Sequence, residues 1–193
     1  MKYVFANWKC NPGGTAEAKK LLAGYAKLFK KSKKATAGVF PPACYLQLAK
    51  EMLKGKAALG GQNCHWEAGA YTGEMSPAQL KSLGCGYALV GHSERRHKFG
   101  ESNESINKKM KAVMAAGMVP VLCVGETREE RIAGKITEIV EAQVKEGMAD
   151  IDINTTKVII AYEPVWAIGT GQACSSLEAD VVRQFVRNIT SEK

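Results

Sequence analysis

Polar side chains that can transfer protons or hold an anion follow several short apolar runs of this 193-residue chain. In chain order these side chains are Asn7 and Lys9, then His92 and Glu94, and finally Glu163. Each has an ordinary structural explanation when it is considered alone, because a single histidine is more often structural than catalytic. A glutamate before a proline is usually a solvent-facing group at a strand end. Their occurrence together, at successive strand ends, indicates a common site.

Six runs of β-branched or apolar residues predict the strands that carry these side chains. The runs are residues 3–8, 37–40, 57–60, 87–90, 119–124 and 158–162. They are apolar on both faces, which is typical of parallel strands covered on both sides. Alternation of such strands with helices predicts an α/β fold, in which reactive groups gather beyond the carboxyl ends of the strands. Periodicity alone leaves a barrel and a doubly wound sheet open.

Amphipathic stretches predict helices between these strands. Apolar residues recur at helical spacing in three sets, namely Ile106, Met110, Val113 and Met114; Ile132, Ile136, Ile139, Val140 and Val144; and Leu177, Val181, Phe185 and Ile189. Helix starts are indicated by Ser76-Pro77, by Thr127 with Glu130 and by Ser175 with Glu178, and a helix stop by Gly117. No linker separates the elements, so a single domain over residues 1–193 is the simplest interpretation.

Composition and charge exclude several classes of protein. Hydrophobic residues make up 46% and charged residues 24% of the chain, as in a globular domain and unlike a disordered one. No run reaches the roughly 18 apolar residues of a membrane span. The first eight residues resemble a strand and not a signal peptide, so we expect a cytoplasmic protein and no membrane partner. The net charge of +8 suits nucleic acid or a small anion, but no nucleic-acid motif accompanies it.

The six cysteines do not predict a metal site or a redox dithiol. None of them forms a Cys-x-x-Cys pair. Cys64 and His65 are adjacent and therefore chelate a metal poorly without further ligands. We expect free thiols in a reducing cytosol and no bound metal.

Three longer motifs stand at the strand ends, namely Ala6-Asn7-Trp8-Lys9, Gly91-His92-Ser93-Glu94-Arg95-Arg96 and Ala161-Tyr162-Glu163-Pro164-Val165-Trp166-Ala167-Ile168-Gly169-Thr170-Gly171. They resemble the signatures of the triosephosphate isomerase family, and the similarity covers essentially the whole chain in the family's order. The resemblance implies a (β/α)8 barrel. It also implies an enzyme without a cofactor that interconverts dihydroxyacetone phosphate and glyceraldehyde 3-phosphate, so that the partner is a small phosphorylated triose.

The resemblance implies catalytic roles for five residues. Glu163 would be the general base and then the general acid. His92 would act as a neutral imidazole that stabilises the enediolate oxygen. Lys9 would attract the phosphate and the developing oxyanion, and Asn7 would donate a hydrogen bond near the same oxygens. Glu94 would position Lys9.

The resemblance also identifies two loops. Residues 164–174, here called the lid segment, match a lid that closes over the substrate and include Pro164, Val165, Trp166, Gly169, Thr170 and Gly171. The backbone amide of Gly171 matches a phosphate ligand. The far hinge, residues 172–174, departs from the family's usual Lys-x-Ala. Thr72, within residues 69–74, matches the tip of a dimer loop that reaches a neighbouring active site.

The length predicts an incomplete barrel. A complete one takes about 250 residues, or roughly 31 per strand–helix unit, so 193 residues supply about six of eight units. We therefore expect a barrel truncated after the sixth unit, with weakened phosphate binding. Its open sheet edges would favour a homo-oligomer in which neighbouring chains cover them. The alternative is a non-catalytic relic of the barrel that self-assembles or complements another fragment.

Overall fold

The computed structural model describes residues 2–30 and 32–191, which contain alternating strands and helices. The strands are β1 (Lys2–Asn7), β2 (Ala35–Phe40), β3 (Ala58–Gly61), β4 (Tyr87–Val90), β5 (Val119–Val124) and β6 (Ile159–Tyr162). The helices are α1 (Thr15–Leu28), α2 (Leu46–Leu53), α3 (Pro77–Ser82), α4 (Ser93–Phe99), α5 (Asn103–Ala115), α6 (Arg128–Ile132), α7 (Ile136–Gly147) and α8 (Ser176–Ser191). Short 3₁₀ turns lie at Ala43–Tyr45 and Val165–Ala167.

The alternation confirms the predicted fold class, an α/β fold with six parallel strand–helix units of a partial (β/α) barrel. The bounds of β4 and β5 agree with the predicted runs, and the other strands are displaced by one or two residues. The prediction of a single domain stays a prediction. The described residues form two compact units, whose boundary falls within β4, α5 and β5.

The first unit contains the chain up to Leu89 together with Ala112–Pro120. Within it β1, β2, β3 and β4 pair in chain order, and every pair is parallel. The register places Asn7 beside Phe40, so the carboxyl ends of β1 and β2 lie at one level. Aromatic rings fill the interior, where the centroid of Phe5 lies 5.1 Å from that of Phe40 and 5.0 Å from that of Tyr87.

The second unit contains Val90–Lys111 and the chain from Val121 onward. In it β5 and β6 are parallel, with Val124 beside Tyr162 at their carboxyl ends. This register brings the turn after β5 next to the turn after β6. The helices bury apolar side chains in a common core, which includes Ile106, Met110, Leu122, Val140, Val144 and Met148.

The predicted helix signals are confirmed by backbone hydrogen bonds. At the start of α3, the Ser76 hydroxyl accepts from the Gln79 N–H while the Gln79 side chain accepts from the Ser76 N–H. The same reciprocal pattern joins Thr127 with Glu130 before α6 and Ser175 with Glu178 before α8. Gly117 follows α5 with a φ of 68°, a left-handed angle that suits glycine at a helix end.

Two helix predictions were wrong in detail. The stretch from Ile132 to Val144 is not one helix, because the chain turns at Gly134, which has a φ of 71°, between α6 and α7. On α8 the predicted apolar stripe is packed at Ile189 but not at its first two residues. The helix buries Val182, Val186 and Ile189, whereas Leu177 is 74% and Val181 60% exposed. Both the buried and the exposed sets follow helical spacing, so spacing alone did not distinguish the packed face.

The expectation that the strands are covered on both sides holds for β3, β4 and β5 and is weaker elsewhere. The last three residues of β3 and β4 are buried, and so are the last five of β5. In β1, however, Val4 is 64% exposed, and β6 is only partly buried. In the described part of the chain, no helix has the length and apolar character required to cross a bilayer.

Candidate active site

His92 stands between β4 and α4, at the N-cap position of the helix. Its Nδ1 atom accepts a hydrogen bond of 3.2 Å from the backbone N–H of Glu94. The Glu94 carboxylate lies 3.6 Å from the same nitrogen, beyond hydrogen-bond length. In a neutral imidazole, an accepting Nδ1 leaves the hydrogen on Nε2. The helix start therefore orients the ring and makes Nε2 the donor.

Glu163 follows β6 and lies against this imidazole. One carboxylate oxygen accepts a 2.7 Å hydrogen bond from the Ser93 N–H, and the other lies 3.2 Å from His92 Nε2. The side chain is 17% exposed, so the carboxylate is sheltered and still reachable. Its backbone N–H donates to the Val124 carbonyl at 2.8 Å, which continues the β5–β6 ladder into the turn. The arrangement joins an acceptor for a proton to a neutral hydrogen-bond donor.

Asn7 and Lys9 come together in the first unit, at the carboxyl end of β1. The Asn7 side-chain oxygen accepts a 2.9 Å hydrogen bond from the Lys9 N–H. Lys9 has a φ of 55°, an uncommon angle for a residue with a side chain, and such backbones often occur at functional sites. Gln62 holds this turn by donating to the carbonyls of Lys9 and Phe40 at 2.9 and 2.7 Å. Gln62 was not among the residues predicted for the site.

The first part of the lid segment is fixed to a buried carboxylate, Glu126, which is fully shielded from solvent. Trp166 Nε1 donates to Glu126 at 2.9 Å and the Tyr162 hydroxyl donates at 3.1 Å. Arg131 lies 3.3 Å from the same carboxylate and 4.4 Å above the Trp166 ring. Burial, with the charge of Glu126, raises the pKa of Tyr162, so this phenol remains a donor.

The tip of the lid segment is exposed and rich in unusual backbone angles. Gly169 and Gly171 have φ values of 73° and 75°, which glycine adopts without strain. The Thr170 hydroxyl donates to the carbonyls of Trp166 and Ala167. Pro164 precedes the 3₁₀ turn that contains Val165. The segment thus has an anchored base and an exposed tip.

Arg96 and Cys123 lie close to Glu163 without a predicted role in the chemistry. Arg96 donates to the carbonyls of Gly91 and Cys123 at 2.7 and 3.1 Å, and to the Asn103 side chain at 2.6 Å. Burial lowers the pKa of this guanidinium from its ordinary value. Burial, with the charge of Glu163, raises the pKa of the Cys123 thiol. A neutral buried thiol is suited to packing, and Cys123 is 3% exposed.

Thr72 lies on an exposed turn of the first unit. Backbone hydrogen bonds shape that turn, because the Tyr71 N–H donates to Gly69 and the Glu74 N–H donates to Tyr71.

Of the predicted catalytic residues, the structure brings Asn7 and Lys9 together in one unit, and His92, Glu94 and Glu163 together in the other. Within residues 2–30 and 32–191, no three histidine, cysteine or acidic side chains cluster in a way that suits a metal ion.

Sequence comparisons define the family of this chain. The family model for triosephosphate isomerase matches residues 2–193. The chain belongs to the triosephosphate isomerase family. It is 44% identical to the triosephosphate isomerase of Dictyoglomus thermophilum and 42% identical to that of Aquifex aeolicus, in both cases over 99% of this chain and 78% of the relative. The triosephosphate isomerase of Chlorobium phaeobacteroides is 44% identical, over 99% of this chain and 77% of its own length.

The family match extends from residue 2 to residue 193. It therefore includes the three motifs that contain Asn7, His92 and Glu163. Glu126 was given no role in the predicted site, although it lies two residues after the buried strand β5. Gln62 was also given no role, although it directly follows β3. Polar groups after the carboxyl ends of parallel strands are candidates for function, and this position was the signal available for both.

Proposed function

We propose that the chain interconverts dihydroxyacetone phosphate and glyceraldehyde 3-phosphate by proton transfer through an enediolate. The observation that supports this most strongly is the pair formed by Glu163 and His92, with 3.2 Å between the carboxylate and Nε2. Relatives of the chain carry the name triosephosphate isomerase. The reaction needs one group that removes and returns a proton on neighbouring carbons, and one that stabilises the oxyanion.

Glu163 is the general base and then the general acid in this mechanism. Its carboxylate removes a proton from the carbon next to the substrate carbonyl and returns it to the neighbouring carbon. His92 donates from Nε2 to the oxygen that becomes negative, because its other nitrogen accepts from the Glu94 N–H. Before substrate binds, the Ser93 N–H holds the Glu163 carboxylate in place.

Lys9 and Asn7 bind the substrate in this proposal. The ammonium group of Lys9 attracts the phosphate and the developing oxyanion. Asn7 donates from its amide nitrogen, since its side-chain oxygen already accepts from the Lys9 N–H. The left-handed backbone of Lys9 and the hydrogen bond from Gln62 fix the start of this side chain. Glu94 is proposed to position Lys9.

The lid segment is proposed to close over bound substrate, with Gly171 donating its backbone N–H to the phosphate. Closure would exclude water and protect the enediolate from loss of phosphate. Trp166 and Glu126 hold the base of the segment in its present position. Movement of the tip is compatible with the glycine angles at positions 169 and 171.

The variant Glu163→Gln tests the assigned base. Glutamine keeps the shape of the side chain and cannot accept the proton, so turnover should fall by about 10²- to 10⁴-fold. A coupled assay measures turnover in both directions. Exchange of the substrate's carbon-bound hydrogen with deuterated solvent measures proton removal separately, even where net conversion is slow.

Glu104→Gln is the matched control, because Glu104 is exposed on α5 and pairs only with Lys108 among the ion pairs of the described residues. It should retain turnover and exchange. Unchanged turnover and exchange in Glu163→Gln would refute the assignment of the base. Absence of both reactions in the unmodified protein would refute the proposed function itself.

A further inference from the structure

Gln143 is a buried polar residue of α7 that makes two hydrogen bonds to a single backbone residue. Its side-chain oxygen accepts from the Gly125 N–H at 2.8 Å, and its side-chain nitrogen donates to the Gly125 carbonyl at 3.1 Å. The side chain is 8% exposed. Among the neighbouring positions on the inner face of α7, Val140 and Val144 are apolar. A lone amide within this core therefore has a specific partner.

Gly125 in turn lies directly against the backbone of Glu163. A Cβ atom at Gly125 would stand 1.8 Å from the Glu163 carbonyl oxygen and 2.8 Å from its carbonyl carbon. Real side chains do not approach backbone so closely, so the two chain segments touch without space for another atom. The Glu163 N–H also donates to Val124, the residue before Gly125. The backbone of Glu163 thus packs directly against the turn after β5.

The two contacts connect α7 with the backbone of Glu163. Gln143 binds both polar groups of Gly125, and Gly125 packs against the backbone carbonyl of Glu163. A buried amide costs free energy unless it is hydrogen-bonded, and here both of its bonds are made to Gly125, which packs against the backbone of Glu163. If position 143 only filled space in the core, an apolar side chain of similar size would pack equally well there.

We propose that Gln143 is a positioning residue for Glu163, acting through Gly125 on the placement of the catalytic carboxylate. This inference rests on the proposed function, in which Glu163 is the base. It assigns Gln143 no contact with substrate. Removal of its hydrogen bonds lets the turn after β5 shift, and a small misplacement of a catalytic group is enough to slow proton transfer.

The expected kinetic effect is on turnover and not on substrate binding. In Gln143→Met, which keeps the volume and loses both hydrogen bonds, kcat should fall about 10- to 100-fold. KM should stay within about twofold of the unmodified value, because the substrate-binding groups assigned above are untouched. Gln143→Glu serves as a second variant if the methionine variant does not fold. At alkaline pH, where its carboxyl group is ionised, it can accept from the Gly125 N–H but cannot donate to the carbonyl, so kcat should fall there too.

Val140→Ala is the matched control for loss of stability. Val140 is buried on the same helix, and its truncation leaves a cavity without removing a hydrogen bond from Gly125. All three variants should melt at a lower temperature than the unmodified protein. Only the two Gln143 variants should lose kcat when they are assayed below their melting temperatures. Equal loss of kcat in Val140→Ala would mean that stability, and not position, sets the rate.

A second readout does not require activity. The Ser93 N–H donates to the Glu163 carboxylate at 2.7 Å, so its proton resonance should lie downfield. It should move upfield in Gln143→Met and Gln143→Glu, toward its position in Glu163→Gln, and should stay in place in Val140→Ala. If the unmodified protein is inactive, the proposed function fails while this spectrum still tests the inference. An unmoved Ser93 resonance, or a retained kcat, in both Gln143 variants would overturn the positioning role.

Discussion

Two carboxylates near the carboxyl ends of β5 and β6 have opposite surroundings. Glu163 is partly exposed and meets one backbone N–H and one imidazole. Glu126 is fully buried and meets an indole, a phenol and a guanidinium. A buried carboxylate that accepts from several donors is held in place, which suits a structural role. A reachable carboxylate beside a neutral donor suits proton transfer.

At the residue scale, the buried thiol of Cys85 predicts that the free energy of unfolding falls at alkaline pH. Burial raises the pKa of its thiol from 9.0 to about 11 in the folded state. Below pH 9 the thiol is neutral in both states and contributes no pH dependence. Between pH 9 and 11 only the unfolded state releases the proton, so the free energy of unfolding should fall. The fall attributable to Cys85 is about 1 kcal/mol per pH unit over this range, because the unfolded state binds one proton fewer than the folded state.

Urea denaturation at several pH values from 8 to 11 measures this dependence. Cys85→Ala should show a shallower decline than the unmodified protein. Cys10→Ala, at an exposed cysteine, should decline as steeply as the unmodified protein. Parallel declines in all three proteins would show that other groups cause the alkaline loss.

At the element scale, local sequence signals predicted where helices begin, but they did not predict which helix face is packed. Ser76, Thr127 and Ser175 marked helix starts correctly, because capping depends on residues within one turn. The break between α6 and α7 was missed, although Gly134 supplies a left-handed angle there. The packed face of α8 was also missed, since two apolar stripes of equal spacing compete and only tertiary contacts select one.

The lid segment should loosen when its indole donor is removed. In Trp166→Phe the ring can still stack with Arg131, but the hydrogen bond to Glu126 is lost. A hydrogen bond to a charged group is worth about 1.5–3 kcal/mol, so the detached population should rise about tenfold or more. Limited thermolysin digestion, with mass analysis of cuts within residues 164–174, should show faster cleavage.

Trp66→Phe provides the comparison for this experiment, because Trp66 lies outside the lid segment and packs near His65. Its cleavage rate within residues 164–174 should match that of the unmodified protein. A Trp166→Phe protein that is cut no faster would mean that other contacts hold the lid base.

At the scale of the whole molecule, the motif residues of the candidate site were predictable from the sequence, whereas the partners of their supporting residues were not. Asn7, Lys9, His92 and Glu163 belong to motifs of neighbouring letters. Gln62, Glu126 and Gln143 act on backbone or side chains that are distant in sequence, such as Phe40, Trp166 and Gly125. The assignment of Thr72 to a subunit contact stays a prediction.

Exposed apolar side chains on both units predict self-association. The largest exposures belong to Ile132, Leu28, Leu177, Phe99 and Val4. Val4 lies on β1, and an exposed apolar strand invites pairing with another chain. Light scattering over a range of micromolar concentrations should show a homo-oligomer. Val4→Lys should weaken it, because a lysine on an exposed strand opposes such pairing, whereas Lys2→Arg should leave it intact. A monomer at every concentration would contradict this prediction.

The contact between Gly125 and the Glu163 carbonyl also offers a way to judge natural sequence variation. In a homologue that no longer catalyses isomerisation, selection for glycine at position 125 is relaxed, since a small shift of Glu163 would then be harmless. Relatives that still catalyse the reaction would be unable to accept even alanine there without moving their base. A residue other than glycine at position 125 is therefore a sensitive indicator that a homologue has lost its catalytic activity.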